Sequence, residues 1–133
     1  AKQVHKAGGK LVVSPNVEKS VVKSTKSLGM QSFPGVLTPT ECFNALKWGA
    51  DGLKVFPAFQ MGQDGLKALR AVLPSETQVY MVGGVGPKNF ADWLKAGANG
   101  FGLGAALYKP GDKVADIAAK ARDTVAAWDE ITA

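Results

Sequence analysis

Residues 49–57, Gly-Ala-Asp-Gly-Leu-Lys-Val-Phe-Pro, contain the pattern that decides the fold. Gly49 suits the left-handed conformation that ends a helix, the next apolar run is as short as a strand, and Pro57 ends that run. The same order of helical pattern, stop and apolar run recurs along the chain every ~20–25 residues, which is typical of βα units. The stops are Gly8, Gly29, Gly49 and Gly97, with Leu73-Pro74-Ser75 between the last two.

The repeat predicts an α/β fold in which a parallel sheet is covered by helices. Such units can build either an open doubly wound sheet or an eight-stranded (β/α)8 TIM barrel. Five strands follow an isolated helical segment in residues 1–7, so we expect strands 4–8 of an incomplete barrel, with residues 1–133 as a single domain. Open sheet edges would make such a chain poorly stable or dependent on a partner. The predicted strands are Lys10–Ser14, Met30–Phe33, Gly52–Phe56, Gln78–Val82 and Gly100–Leu103.

Helix boundaries follow from local signals in the sequence. Asn16, the segment Thr38-Pro39-Thr40-Glu41, and Pro87 are each typical of a helix start. The last helix is expected over about Asp112 to Asp129. Its predicted buried stripe consists of Val114, Ile117, Ala118, Ala121, Val125 and Trp128.

The composition is that of an ordinary globular protein, with 46% hydrophobic and 20% charged residues. No apolar run is long enough to cross a membrane, and no secretory signal is visible, so we expect no membrane partner and a cytoplasmic location. Cys42 is the single cysteine, which is compatible with a reducing compartment. The net charge of +5 is spread among acidic residues, which favours a solvated surface over nucleic-acid binding. No cluster has metal-ligand spacing.

Lys54 is the residue that most directly suggests chemistry. The alternation of side chains along a strand points Leu53 and Val55 toward the helices, and Lys54 and Phe56 into the barrel. Burial disfavours an ammonium ion, and a neutral amine can attack a ketone to form an imine. A lysine that reaches solvent from an edge strand, or a different strand register, remains the structural alternative.

Two glycine clusters follow the last two predicted strands. Gly83-Gly84-Val85-Gly86-Pro87 and Gly102-Leu103-Gly104-Ala105 each offer backbone N–H groups at a strand end, a common arrangement for phosphate in barrel enzymes. Tight turns alone would also explain these glycines. The second cluster lacks the complete dinucleotide fingerprint, so no nucleotide cofactor is indicated.

Together these motifs resemble the C-terminal two-thirds of the 2-keto-3-deoxy-6-phosphogluconate and 2-keto-3-deoxy-6-phosphogalactonate (KDPG and KDPGal) aldolases, which work through a lysine imine. The likeness covers essentially all 133 residues. It rests on Ser-Pro-Asn at 14–16, Pro-Gly-x-x-Thr at 34–38, Gly-Leu-Lys-Val-Phe-Pro at 52–57, Val-Gly-Gly-Val at 82–85 and Gly-Leu-Gly at 102–104. The Ser-Pro-Asn and Val-Gly-Gly spellings resemble the galactonate branch more closely.

The resemblance implies a role for each matching residue. Lys54 would form the imine, without a cofactor or a metal. Phe56 and Pro15 would line the pyruvate end of the pocket, and Pro34 and Gly35 would border the substrate. Phosphate contacts would come from Gly83, Gly84, Gly104 and Ala105, where relatives often carry serine at the position of Ala105.

The resemblance also implies an aldehyde-lyase that splits the phosphorylated 2-keto acid into pyruvate and glyceraldehyde 3-phosphate, and a homotrimer. The family's proton-transferring Glu, an Arg and a Thr-containing loop have no counterpart in these residues. We therefore expect the chain by itself to turn over slowly or not at all. Two alternatives remain open: a non-catalytic phosphosugar-binding barrel domain, and another phosphate-binding barrel isomerase or synthase.

Overall fold

The computed structural model describes residues 1–133 and contains alternating helices and parallel strands. The strands are β1 (Leu11–Val13), β2 (Gln31–Phe33), β3 (Gly35–Val36), β4 (Leu53–Val55), β5 (Val79–Val82) and β6 (Gly100–Gly102). The helices are α1 (Lys2–Lys6), α2 (Lys19–Ser27), α3 (Pro39–Lys47), α4 (Ala58–Arg70), α5 (Phe90–Lys95) and α6 (Val114–Thr132), with a 3-10 turn at Pro87–Asn89 before α5.

The strands lie side by side in the order in which they occur along the chain. β1 pairs with β2, and β3, β4, β5 and β6 form a second set of parallel neighbours. β2 lies within the predicted strand Met30–Phe33, and β3 continues in the same direction beyond the predicted end, separated from β2 only by Pro34, which has no N–H to donate to the ladder. Sequential order is that of a barrel, because a doubly wound sheet reverses its strand order.

The hydrophobic core lies between the outer face of the sheet and helices α3, α4 and α5. Leu53, Val55, Val79 and Met81 are completely buried there against helical residues such as Leu66. Burying a side chain of this size stabilises a fold by about 1.5–3 kcal/mol. The core therefore fixes which face of each strand points toward the helices, and thereby which face points inward.

The helix ends confirm most of the sequence signals. Thr38 caps α3 in a capping box with Glu41, and Pro39 occupies the first turn, as predicted. The backbone N–H of Leu37 also donates to the Glu41 carboxylate, and this bond holds the pKa of Glu41 below its ordinary value. The prediction of a helix start at Asn16 was wrong, because Glu18 caps α2 by accepting the N–H of Ser20.

The C-terminal helix differs from the sequence expectation. None of its residues is buried, and Val114 and Val125 of the expected stripe are 83% and 58% exposed. The helix contacts the sheet through Trp128, whose ring meets Phe101 edge-on at 6.0 Å. Ile117, Ala118, Ala121 and Trp128 are partly buried, and a cavity of about 350 Å³ lies between the end of the helix and β6, so the apolar face is only partly covered.

An ion pair joins the N-terminal ends of the strands on the side opposite the glycine loops. Lys26 on α2 contacts both carboxylate oxygens of Asp51 at 2.7 Å, and Asp51 accepts the N–H of Ser32 at 2.8 Å. About a third of each charged side chain is exposed, so we expect a modest contribution to stability. Asp51 is thus occupied far from the strand ends where barrel enzymes bind substrates.

Candidate active site

Lys54 projects from the inner face of the sheet, as the strand alternation predicted. Its neighbours Leu53 and Val55 are fully buried on the helical face, whereas Lys54 is half-buried on the other side. Lys54 pairs with Gly35 on one side and with Tyr80 on the other. It opens into a cavity of about 300 Å³, named here the lysine cavity, lined by Leu11, Val13, Gln31, Phe33, Lys54, Tyr80, Val82, Phe101 and Gly102.

Partial burial destabilises the charged form of Lys54 relative to the neutral amine. Its Nζ makes no salt bridge, and its nearest recorded partner is the ring of Phe56, with 4.8 Å between Nζ and the ring centroid. Burial lowers the pKa of Lys54 below its ordinary value. Since only the unprotonated amine has the lone pair that attacks a carbonyl carbon, this environment prepares Lys54 to act as a nucleophile.

A second, larger cavity of about 900 Å³ lies beyond the C-terminal ends of β5 and β6. Gly83, Gly84, Gly104 and Ala105, the four residues predicted to contact phosphate, all line it. We name it the glycine cavity. No backbone or side-chain acceptor within the chain is recorded for the N–H groups of these four residues, so each remains free to donate to an anion. Several unpaired amides on one concave surface form an anion-binding site.

The two cavities adjoin each other. Val82 and Gly102 line both, and Phe56 reaches from Lys54 to the wall of the glycine cavity. A Cβ atom on Gly102 would lie 2.7 Å from Cγ2 of Val82, so this junction is packed tightly around a glycine. The two cavities therefore meet at this junction, with Lys54 in one and the unpaired amides in the other.

Asn89 holds the first glycine loop in shape. Its side-chain amide donates to the carbonyl of Gly84, and its Oδ1 accepts the N–H of Gly86, both at 3.0 Å. Gly83 and Gly84 have φ values of +97° and +75°, a backbone conformation that residues with a Cβ atom rarely adopt. This role of Asn89 was not predicted from the sequence, although an Asn shortly after a Gly-rich strand end is a recognisable loop-capping signal.

Three other predicted substrate contacts lie outside the lysine cavity. Pro34 is fully buried, and its carbonyl accepts the backbone N–H of Lys54 at 3.0 Å. Gly35 is also buried, and a Cβ there would collide with the backbone carbonyl of Pro15. Pro15 itself is exposed. In this arrangement Pro34 and Gly35 position the strand that carries Lys54, and neither faces the cavity.

The sequence analysis also missed several polar side chains that line the cavities. Tyr80 lies in the lysine cavity, where its pairing with Lys54 and the alternation along β5 could have revealed it. Lys88, Lys109 and Asp123 line the glycine cavity. No carboxylate lines the lysine cavity.

Two further features bear on the class of protein. No group of three or more His, Cys, Asp or Glu side chains is arranged so that it could hold a metal ion. None of the helices combines the length and apolar character that a membrane crossing requires.

The sequential parallel strands, with an inward lysine beside a cavity lined by unpaired backbone amides, define an α/β-barrel protein. Residues 1–120 match the family model described as KDPG and KHG aldolase, and the chain belongs to this family. Its structural relatives in this family have the (β/α)8 barrel, of which the present chain is a part.

Two individual relatives are named as 2-dehydro-3-deoxy-6-phosphogalactonate aldolases. The chain is 48% identical over 124 residues to the probable 2-dehydro-3-deoxy-6-phosphogalactonate aldolase of Rhizobium meliloti (strain 1021), covering 93% of this chain and 58% of that protein. It is 44% identical over 123 residues to the 2-dehydro-3-deoxy-6-phosphogalactonate aldolase of Escherichia coli (strain K12), covering 92% and 60%. A structure described as native KDPGal superposes with a TM-score of 0.94 at 42% identity, covering 98% of this chain and 65% of that one. The chain thus spans about 60% of the length of these curated relatives.

Proposed function

We propose that this chain carries the imine-forming lysine and the phosphate site of an aldolase that cleaves 2-keto-3-deoxy-6-phosphogalactonate to pyruvate and glyceraldehyde 3-phosphate. The observation that supports it most directly is the junction of the two cavities at Val82 and Gly102, with an amine of lowered pKa on one side and free amides on the other. The substrate carries a ketone at one end and a phosphate at the other. The names of the two curated relatives favour the galactonate over the gluconate epimer.

The reaction would start at the amine of Lys54. Its lone pair attacks the C2 ketone, and loss of water from the resulting carbinolamine gives an iminium ion. When a base removes the proton of the C4 hydroxyl, the C3–C4 bond breaks and its electron pair flows to the iminium nitrogen. Glyceraldehyde 3-phosphate leaves, the enamine takes up a proton at C3, and water hydrolyses the imine to release pyruvate and regenerate Lys54.

The base for the C4 hydroxyl is the part of this mechanism that these 133 residues do not supply. The only acidic residue that lines either cavity is Asp123, on the wall of the glycine cavity. General acid–base catalysis typically contributes 10²–10⁴-fold to a rate. We therefore propose that the chain forms the imine but turns over slowly by itself, as expected from the residues that the family resemblance leaves unmatched.

Reductive trapping tests the proposal. Incubation with pyruvate and borohydride should add mass irreversibly to the peptide that contains Lys54, because borohydride reduces the imine to a stable amine. Lys54→Met should abolish the adduct. Lys47→Met is the matched control, because Lys47 is an exposed lysine on α3 that lines neither cavity. A folded chain that gives no adduct at Lys54 refutes the imine mechanism.

The absence of a carboxylate beside Lys54 favours a second candidate, a non-catalytic phosphosugar-binding domain. That function predicts thermal stabilisation by a phosphorylated sugar acid without any trapping of pyruvate. In an isomerase or synthase, Lys54 would act only through its charge, and trapping would again be absent.

The organisation of the protein is also a proposal. We propose that residues 1–133 belong to a single barrel domain, that the protein is cytoplasmic, and that it assembles as a homotrimer as the resemblance implies. Exposed apolar side chains on and after α4, Phe59 at 71% and Val72 at 56%, are consistent with a subunit contact. Light scattering after size-exclusion chromatography measures the assembly directly.

A further inference from the structure

Two lysines stand beside the free amides of the glycine cavity. Lys88 lies in the 3-10 turn that follows the first glycine loop, and Lys109 lies in the segment after β6. Both line the glycine cavity together with the glycines of the two loops. Each strand end therefore contributes backbone donors and one cationic side chain to the same concave surface.

Neither lysine forms a salt bridge, although the hydrogen bond from Lys120 and, among several lesser causes, the charge of Lys109 lower the pKa of the Asp112 carboxyl group. The three salt bridges join Lys26 to Asp51, Lys67 to Asp64 and Lys120 to Asp112, and neither Lys88 nor Lys109 takes part in one. Asp123 on α6 is the only carboxylate that lines the cavity. The side chains around the free amides thus carry two positive charges and one negative charge.

A nearby side chain forms hydrogen bonds with the backbone at or just before each lysine. Lys88 immediately precedes Asn89, which bonds to Gly84 and Gly86. On the other loop, the Asp112 carboxylate accepts the backbone N–H of Lys109 at 3.0 Å and contacts Nζ of Lys120 at 2.7 Å. The acidic group in this loop is therefore already paired, which leaves the side chain of Lys109 available to a ligand.

We infer that Lys88 and Lys109 are phosphate-binding residues that make this site prefer a phosphorylated acid over the same acid without its phosphate. The inference rests on the proposed function. The amides donate directed hydrogen bonds, whereas the ammonium groups of the lysines attract the negative charge of a dianion. Because both side chains are exposed, the attraction is screened by salt and each contribution is modest.

A matched pair of ligands isolates this contribution. Dissociation constants for 3-phosphoglycerate and for glycerate, which differ by the phosphate, are measured by NMR titration of the 133-residue chain at low and high ionic strength. Lys88→Gln and Lys109→Gln should each weaken 3-phosphoglycerate binding by about three- to tenfold at low salt, and the double variant by more. Asp123→Asn should strengthen it by up to about threefold, because it removes the opposing charge. Glycerate binding should not change.

Lys47→Gln provides the control for a general change in net charge, because Lys47 lies outside the cavity. Circular dichroism confirms that each variant is folded. If the double variant binds 3-phosphoglycerate as tightly as the parent, and the parent still prefers it to glycerate, the inference about the lysines is overturned while the amide site stands. If the parent shows no preference for 3-phosphoglycerate, the proposed phosphate site fails, and the inference fails with it.

Discussion

Gly102→Ala tests whether the junction between the two cavities is packed as the structure shows. The new Cβ would lie 2.7 Å from Cγ2 of Val82, about 0.7 Å closer than the 3.4 Å at which ordinary contacts begin. The next nearest atoms, Cγ1 and Cβ of Val82, are at 3.6 and 3.7 Å and tolerate the methyl group. The cost thus arises from a single methyl–methyl overlap, and overpacking of this kind destabilises a protein by about 1–3 kcal/mol.

A double-mutant cycle measures this overlap directly. Val82→Ala alone should cost about 1 kcal/mol, since it removes two methyl groups of a half-buried side chain. In the Val82→Ala background the methyl group added at position 102 has room, so Gly102→Ala should cost almost nothing further. The expected coupling energy is therefore about 1–3 kcal/mol in favour of the double variant.

Equilibrium unfolding in urea supplies the four free energies of unfolding. Gly104→Ala is the control, because no atom lies within 4 Å of its added Cβ and its φ is not positive. This variant should remain within about 0.5 kcal/mol of the parent. If Gly102→Ala costs the same with and without Val82, the two residues are not in contact, and the tight packing described at the junction is wrong.

Two further predictions concern the amine and the loop. Burial lowers the pKa of Lys54, so between the folded and unfolded pKa values the unfolded chain binds more protons there, and this side chain makes stability rise with pH. Lys54→Met should therefore reduce the gain in stability as the pH rises toward the unfolded lysine pKa of about 10.4, as measured by urea unfolding at several pH values; a pH dependence identical to that of the parent would contradict the lowered pKa. Asn89→Ala removes both bonds to the first glycine loop and should weaken 3-phosphoglycerate binding by about tenfold, with faster hydrogen exchange at the amides of residues 83–86. Unchanged exchange and affinity would show that the loop keeps its shape without Asn89.

The position of Lys54 could be predicted because its causes are local. The alternation of Leu53, Lys54 and Val55 fixes the inner and outer faces, and the buried core confirms the assignment. The glycines that end helices were equally readable, since Gly29, Gly49 and Gly97 all have φ values between +70° and +108°. In each case the local residues alone indicate the conformation, without information from distant parts of the chain.

Features that depend on distant neighbours could not be read in this way. The apolar stripe of α6 is visible in the sequence, but whether it is covered depends on what packs beside it, and Val114 remains 83% exposed. Gly35 was assigned to the substrate, whereas the structure sets it against the backbone of Pro15, twenty residues earlier in the chain. Lys88 and Lys109 line the same cavity only because β5 and β6 are neighbours.

The geometry of the two cavities also limits what these residues can recognise. Lys54 and the free amides would hold the two ends of a phosphorylated 2-keto acid. A substrate held at both ends would lie across the junction that the two cavities share. Val82 and Gly102 form this junction, and neither has a polar side chain to bind a hydroxyl group. The galactonate and gluconate substrates differ at the C4 hydroxyl. Within these residues, Gln31 and Tyr80 are the uncharged polar side chains of the lysine cavity that could contact such a hydroxyl group.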